Sequence, residues 1–178
     1  MRCFSSIGLP PLSSVRTLAA RTELGTVAAL IAAFLGLSLA VATRWCVPWE
    51  DEIMYTDPAA NLALGQGFRS AAWYTQQRTE IWASNTPLHE WLLAGWFSVF
   101  GVSLQAARTF YFLFQAAGAV TLWWASLRLS LLRTPLARVA LVVLLLTGSG
   151  LSECLHNGRP EGIKYLLACL TLLAFSVR

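Results

Sequence analysis

The sequence predicts an all-α protein, a multi-pass transmembrane helical bundle. Of its 178 residues, 56% are hydrophobic and only 12% are charged, whereas about a quarter of the residues in an average soluble domain are charged. The mean hydropathy is +0.57, and the apolar residues gather into long uncharged blocks, as membrane helices require. We expect about four spans, a re-entrant or interfacial helix, and an external loop with short helices.

The first apolar block, Leu24 to Thr43, contains twenty uncharged residues, about the length that crosses a hydrocarbon core of roughly 30 Å. It predicts a transmembrane helix that follows a cytoplasmic N-terminal segment, residues 1–23. A cleaved signal peptide is the alternative, because Ala40-Val41-Ala42 resembles a cleavage site, although the block is longer than the apolar region of such peptides. In either case the arginines of residues 1–23 stay inside and the chain emerges outside.

The segment 44–87 is mixed and polar, and tryptophan and tyrosine are spread through it. This pattern predicts an external loop that lies on the membrane. Within it, Asp57 followed by Pro58 is typical of a helix N-cap and first helical residue, and Gly65 is typical of a C-terminal stop. We therefore expect a short helix from Pro58 to Leu64.

The apolar region after Pro87 has two parts, Leu88 to Phe100 and Leu104 to Leu127. The second part is long enough to span, whereas the first, about thirteen residues, is short for a crossing and predicts a re-entrant or interfacial helix. The topology depends on whether the first part crosses the membrane. If it does not cross, the following arginine cluster lies inside with the N-terminus, and if it does cross, the cluster lies outside. We favour the first alternative; the cluster is Arg128, Arg133 and Arg138.

Two further apolar blocks complete the chain. Val139 to Ser152 returns outward and leads to a second external loop, residues 153–162, and a last block runs from Ile163 to Arg178. Only about fifteen residues of that last helix are present, which is fewer than a crossing needs. We therefore expect the chain to be the front part of a longer membrane protein, with further hydrophobic helices encoded downstream.

The charge and the cysteines exclude several classes of function. The net charge is +4 and the pI is near 9.2, but the thirteen Lys and Arg lie scattered at the ends of apolar blocks, as topology signals do, so nucleic-acid binding is not indicated. The four cysteines have no CxxC spacing, which argues against a zinc site or a thioredoxin motif. A disulfide between Cys46 and Cys154, both outside in the favoured topology, stays open.

Ionisable side chains gather on the outer side in this topology. Ionisable residues at membrane depth are energetically expensive and usually functional. Each also has an ordinary explanation: the acids as solvated caps, His89 as a hydrogen-bonded interfacial residue, and Arg108 as a snorkelling residue at a helix end. The candidates are the cluster Glu50-Asp51-Glu52 after the first helix, Glu161 with Arg159 and Lys164 beside it, and His89 with Glu90 after Pro87.

The order of several motifs resembles the opening of the type C fold glycosyltransferases that use polyprenyl-phosphate sugars, of the protein mannosyltransferase and aminoarabinose transferase kind. The resemblance runs from about residue 24 to 178, about the first third of a typical member, and Glu161 stands where the family often has Asp. The motifs are the acidic cluster with Tyr55, Ala59-Ala60 and Leu62-Ala63-Leu64-Gly65-Gln66-Gly67; Asn85-Thr86-Pro87-Leu88-His89-Glu90-Trp91-Leu92-Leu93 with Phe100-Gly101 and Ala106-Ala107-Arg108; and Gly158-Arg159-Pro160-Glu161.

The resemblance implies a multi-pass enzyme of the cell membrane, of the bacterial inner-membrane kind. It would transfer a sugar from a polyprenyl-phosphate donor to a hydroxyl of a lipid, glycan or protein acceptor on the external or periplasmic face. Asp51 would accept the acceptor proton, and Glu52 or Glu161 would orient it or share a divalent cation, Mg²⁺ or Mn²⁺. Arg159 and Lys164 would stabilise the phosphate leaving group. The predicted substrate-binding set also includes Tyr55, His89 and Glu90.

Two other classes of function remain. A non-catalytic membrane scaffold or subunit would keep the topology without needing Asp51, Glu52 and Glu161 to converge. A transporter fragment would place its charges inside the helix bundle near the bilayer midplane. The acids of this chain lie instead at the ends of the apolar segments, and Leu24 to Thr43 carries no charge, which counts against transport.

Overall fold

The computed structural model describes residues 12–44, 48, 50–72, 77, 79–82, 87–148 and 159–175. The all-α prediction is confirmed for this part of the chain, which contains six helices and no strand. Two segments, Ala19–Val41 and Leu104–Arg128, are long and apolar enough to span a membrane. The helices are α1 (Leu12–Val41), α2 (Glu50–Ala63), α3 (Pro87–Phe100), α4 (Leu104–Arg128), α5 (Pro135–Thr147) and α6 (Glu161–Phe175).

Helix α1 covers the first predicted apolar block and ends at Val41, two residues before the predicted boundary. It begins at Leu12, well inside the segment predicted as a cytoplasmic tail. Residues 12–23 contain leucine, alanine and arginine and no proline or glycine, so nothing in their propensity stops the helix from extending toward the N-terminus.

Helix α2 is twice as long as the predicted helix and begins at Glu50, so the predicted start at Pro58 is wrong. The three acids of Glu50-Asp51-Glu52 form its first turn, where negative charge interacts favourably with the helix dipole. Pro58 lies inside the helix and removes one backbone hydrogen bond. Asp57 does not cap this helix; its carboxylate accepts hydrogen bonds from the Ser70 hydroxyl at 3.0 Å and from the amides of Ala71 and Ala72.

The predicted end of α2 is confirmed at Gly65, whose φ of 72° is in the left-handed region. The Gly65 amide donates to the Leu62 carbonyl at 3.1 Å, and the Gln66 amide donates to the Asn61 carbonyl at 2.8 Å. These two bonds form a Schellman cap. The chain then doubles back along α2, where the Asn61 side chain donates to the Arg69 carbonyl at 2.9 Å.

Helices α3 and α4 form an antiparallel hairpin around Gly101, which has a φ of 81°. Ser103 caps α4 by accepting from the Ala106 amide, and the Trp96 indole donates to the Ala106 carbonyl at 2.9 Å. The 14 residues of α3 are about 21 Å long, so this helix is shorter than a hydrocarbon core, as predicted. An apolar core unites α2, α3 and α4; its buried members include Ala59, Leu93, Phe97, Phe110 and Tyr111.

Helices α5 and α6 both pack against α4. Thr134 caps α5 with its hydroxyl, and Pro135 begins the helix. Val142, Leu145 and Leu146 of α5 form a second core with Val27 and Ala119. The ring of Tyr165 in α6 covers Gly118 so closely that a Cβ atom at Gly118 would lie 2.0 Å from the ring.

Two buried ion pairs lie at opposite ends of this bundle. At the first, which we call the Glu52 end, Glu52 of α2 binds Arg108 near the start of α4. At the second, the Glu23 end, Glu23 of α1 binds Arg138 of α5. Arg108 also binds the Ala42 carbonyl, and Glu23 and Ala42 lie 19 positions apart in the sequence. At 1.5 Å per helical residue, this separation is about 28 Å.

Replacing Gly118 by alanine should destabilise the protein, because the new methyl group would collide with the Tyr165 ring. We expect a loss of about 1–3 kcal/mol, typical of overpacking in a core, measured by thermal unfolding in detergent. Adding Tyr165→Leu should recover much of the loss. Gly95→Ala is the matched control, since a Cβ there meets nothing within 4 Å; an equal loss in the control would contradict the packing argument.

Replacing Arg108 alone by methionine should leave the Glu52 carboxylate buried without its counter-charge. The expected cost is about 3–5 kcal/mol of unfolding free energy, the usual cost of breaking a buried pair from one side. The double variant Arg108→Met, Glu52→Leu should recover most of it, because an apolar pair can replace a buried ion pair. Glu50→Gln, at an exposed position of the same turn, is the control. Additive losses in the double variant would show that the two side chains are not coupled.

Candidate active site

Two neighbouring carboxylates in the first turn of α2, Asp51 and Glu52, bind different partners. Successive residues of an α-helix point about 100° apart, so Asp51 and Glu52 cannot share one face. Glu52 is buried and binds Arg108 in α4, whereas Asp51 binds Arg159 just before α6. The two acids, adjacent in the sequence, therefore occupy different environments.

The Glu52–Arg108 pair is bidentate and excluded from solvent. Arg108 Nε donates to Oε1 at 2.8 Å and Nη2 donates to Oε2 at 2.9 Å, while Nη1 donates to the Ala42 carbonyl at 2.5 Å. The interpretation of Arg108 as a snorkelling residue is therefore wrong, since its side chain is only 8% exposed. Both Glu52 oxygens are bound to Arg108, so the Arg108 guanidinium joins the start of α2 and the start of α4 to the end of α1.

The Asp51–Arg159 pair remains accessible. Arg159 Nε donates to Asp51 Oδ2 at 2.7 Å, and its Nη2 binds the same oxygen. The side chains are 26% exposed for Asp51 and 41% for Arg159. The structure thus joins the two segments that the sequence predicted to lie on one side of the membrane, and the carboxylate lies where a solute can reach it.

The other predicted site residues lie around the Tyr55 side chain. Tyr55 lies one turn after Asp51, on the same face of α2. Burial raises the pKa of its phenol, as do the negative charges of Asp51, Glu161 and Glu90, while the positive charge of Arg159 lowers it. Charges from α2, α3 and α6 therefore act on one hydroxyl.

Glu161 and Lys164 lie in the first turn of α6, beside this cluster. Lys164 Nζ is 3.8 Å from Glu161 Oε1, and both side chains are substantially exposed, so the pair contributes little to stability. Glu161 Oε2 is buried, and no other described residue offers it a hydrogen bond. Glu161 therefore has one oxygen toward Lys164 and one toward the interior.

His89 and Glu90 stand behind Tyr55, in the first turn of α3, and both are buried. The His89 ring stacks on Tyr111 at a centroid distance of 5.6 Å and meets the edge of Tyr55 at 6.0 Å. Glu90 Oε1 accepts from the Trp82 indole at 3.4 Å. His89 and Glu90 therefore lie on the interior side of Tyr55. Their predicted contribution to substrate binding would be indirect, through the position of the Tyr55 side chain.

Sequence reasoning missed several contacts. It did not find that Asp57 anchors residues 70–72, or that Phe68 meets Trp91 at 6.3 Å. It also missed Glu23 as a structural residue, although Glu23 is the sole acid in residues 1–49, which was the available signal. Glu23 accepts from Arg138 at 2.6 Å and from the Trp123 indole at 2.9 Å.

Two predictions concern metal ions and sulfur. Among the residues that the structure describes, no group of three or more His, Cys, Asp and Glu side chains is placed to hold a metal ion, and the divalent cation stays a prediction. Cys46 and Cys154 lie outside the described residues, so the disulfide between them also stays a prediction. Cys169 in α6 is a free, buried thiol.

No protein-family model, curated protein or solved structure matches the chain. The glycosyltransferase family named above therefore stays a prediction that rests on the motifs. The function must be argued from the accessible Asp51–Arg159 pair and the groups around Tyr55.

The pKa of Tyr55 should report on the charges of Asp51, Glu161, Glu90 and Arg159 around it. Burial, and after it the nearby negative charges, hold the Tyr55 pKa above its ordinary value of 10.0, so Asp51→Asn should lower that pKa and Arg159→Gln should raise it. The measurement is the tyrosinate absorbance of each protein minus that of the same protein with Tyr55→Phe. Because the folded state holds this proton more tightly, its contribution to stability is present below pH 10 and is lost as the pH rises through the folded pKa.

Glu80→Gln is the control for this titration, since Glu80 is exposed and is not among the charges that act on Tyr55. The Tyr55 pKa should not change in this variant. Shifts of the same direction in Asp51→Asn and Arg159→Gln would contradict the placement of opposite charges around the phenol.

Proposed function

We propose that this chain carries the acceptor side of a membrane glycosyltransferase that transfers a sugar from a polyprenyl-phosphate donor to an acceptor hydroxyl. The observation that carries the proposal is the meeting of Asp51 and Arg159, 108 residues apart in the sequence, in an accessible ion pair beside Tyr55 and Glu161. A base and a phosphate-binding cation at one place are what this reaction requires.

The proposed setting is a cell membrane crossed by α1 and α4, with the shorter α5 and α6 packed beside them. The length of α1 and α4 supports it, and so does the spacing of the two ion pairs, since about 28 Å between them is close to the thickness of a hydrocarbon core, roughly 30 Å. The Glu23 end, with Arg128, Arg133 and Arg138, would then face the cytoplasm. The Glu52 end, with Asp51 and Glu161, would face the external side, where lipid-linked sugars serve as donors.

In the proposed mechanism Asp51 is the general base. Both hydrogen bonds from Arg159 to Asp51 go to Oδ2, and in the proposal Oδ1 accepts the proton of the acceptor hydroxyl. As the acceptor oxygen bonds to the anomeric carbon, the bond from that carbon to the phosphate oxygen breaks, and the phosphate leaves with the electron pair. A single displacement of this kind inverts the anomeric centre.

Arg159 has two parts in this mechanism. Before substrate binds, it orients the Asp51 carboxylate and balances its charge. When the sugar donor is bound, the Arg159 guanidinium and the Lys164 ammonium, which is 3.8 Å from Glu161, stabilise the charge on the leaving phosphate, for which a guanidinium is well suited. Glu52 acts as a positioning residue, because both of its oxygens are bound to Arg108.

A non-catalytic membrane protein is the second candidate. The observation that favours it is the pairing itself, because Asp51 with Arg159 and Glu52 with Arg108 are two satisfied ion pairs that would also suit a scaffold. The two candidates differ in whether removing the Asp51 charge alters sugar transfer or only stability.

Asp51→Asn should reduce sugar transfer by about 10²–10⁴-fold, the usual contribution of a general base, with membrane insertion unchanged. The assay uses membranes from cells that express the protein. A panel of polyprenyl-phosphate sugars with a radiolabelled sugar is supplied, and incorporation into lipid, glycan and protein fractions is counted.

Glu50→Gln is the matched control, since it removes a neighbouring carboxylate that is exposed and should leave transfer unchanged. Undiminished transfer by Asp51→Asn would refute the assigned base. No transfer from any donor by a correctly inserted protein would favour the non-catalytic candidate.

A further inference from the structure

The Glu23 end of the bundle has an excess of arginine with no acid left to balance it. Residues 1–22 and 104–152 contain no Asp or Glu, and the one acid at this end, Glu23, is buried and bound to Arg138. Arg21, Arg128 and Arg133 are exposed. No carboxylate among the described residues lies within ion-pair distance of any of them. These exposed arginines are therefore accessible to an anionic group of another molecule.

Two of these arginines are held on one short turn between α4 and α5. Arg128 is the last residue of α4, and Arg133 lies just before the cap of α5. The Leu131 amide donates to the Ser126 carbonyl at 3.1 Å and the Ser130 amide to the Leu127 carbonyl at 3.3 Å, which is a Schellman cap. The backbone thus fixes the positions from which both arginines project.

This turn is rigid for two further reasons. Ser130 has a φ of 52°, a left-handed conformation that a residue with a side chain keeps only when its surroundings impose it. Arg138 Nη1 donates to the Leu132 carbonyl at 2.7 Å, and the same guanidinium binds Glu23 of α1. The turn is therefore attached to α1, α4 and α5.

The surroundings of the two arginines are apolar and exposed. The Arg128 guanidinium lies 5.8 Å from the centre of the Trp124 ring, and Trp124 is 47% exposed. Leu131 and Leu136 are 58% and 78% exposed. Exposed leucine and tryptophan next to exposed arginine match the boundary of a bilayer, with acyl chains on one side and phosphates on the other.

We propose that the α4–α5 turn is a binding site for the headgroup phosphate of anionic phospholipids, contacted by Arg128 and Arg133. Anionic lipid supplies the missing negative charge, and its acyl chains cover Trp124, Leu131 and Leu136. An acidic protein would supply the charge but would leave the apolar side chains beside the arginines exposed. The site depends on the membrane setting of the bundle and not on sugar transfer.

The test is thermal unfolding of the full chain purified in dodecyl maltoside, with phosphatidylglycerol or phosphatidylcholine added. Phosphatidylglycerol at about 100 times its dissociation constant should raise the Tm by about 5–10 °C, and phosphatidylcholine should raise it much less. In the double variant Arg128→Gln, Arg133→Gln the affinity for phosphatidylglycerol should fall by about tenfold or more. Native mass spectrometry should show one fewer retained anionic lipid.

The control variant Arg44→Gln, Arg69→Gln removes the same number of charges from exposed positions away from the Glu23 end and should keep the phosphatidylglycerol effect. An equal loss in the control would overturn the proposal, because it would show a response to net charge alone. Equal stabilisation by inorganic phosphate would also overturn it, since that result would assign the turn to a soluble anion. So would equal stabilisation by phosphatidylcholine.

Discussion

The position of the site depends on where the charge of Arg108 is neutralised. A guanidinium buried in an apolar bundle costs several kcal/mol unless it is paired and hydrogen-bonded, and Glu52 and the Ala42 carbonyl fulfil that need. The first turn of α2 must therefore lie across the start of α4, and α1 must end beside it. Because Asp51 precedes Glu52, the same contact turns Asp51 about 100° away, toward Arg159. One buried pair thereby fixes the place of the accessible one.

Most helices were predictable because their signals are local. Uncharged length predicted α1 and α4, and the caps at Gly65 and Ser103 follow from the chemistry of a few neighbouring residues. The start of α2 was not predictable in this way. Asp57 followed by Pro58 is typical of a helix N-cap. In the structure, however, the Asp57 carboxylate accepts hydrogen bonds from the amides of Ala71 and Ala72, fourteen and fifteen residues later in the sequence. The helix begins instead with the three acids at 50–52. A contact between residues distant in the sequence thus overrode the local preference of Asp57 for an N-cap position.

The convergence of Asp51, Arg159 and Glu161 followed from the predicted topology, which put their segments on one side. The pairings within that cluster did not follow. Asp51 and Glu52 are neighbours of the same charge, and which of them meets which arginine depends on the rotation of α2 about its axis, a property set by packing against α3 and α4. The Glu23–Arg138 pair was beyond sequence reasoning for a related reason, since its partners lie 115 residues apart and only the packing of α1 on α5 brings them together.

The long sequence separation of these pairs determines the order in which the molecule can assemble. Glu23 has no counter-charge until Arg138 has been synthesised, and Asp51 has none until Arg159 has been synthesised. At about 5–20 residues per second, a separation of more than 100 residues corresponds to about 5–20 s of translation. During that interval the acids of α1 and α2 have no counter-charge, and they must be solvated by water or bound by chaperones. The accessible carboxylate of the candidate site is therefore completed last, when the start of α6 arrives.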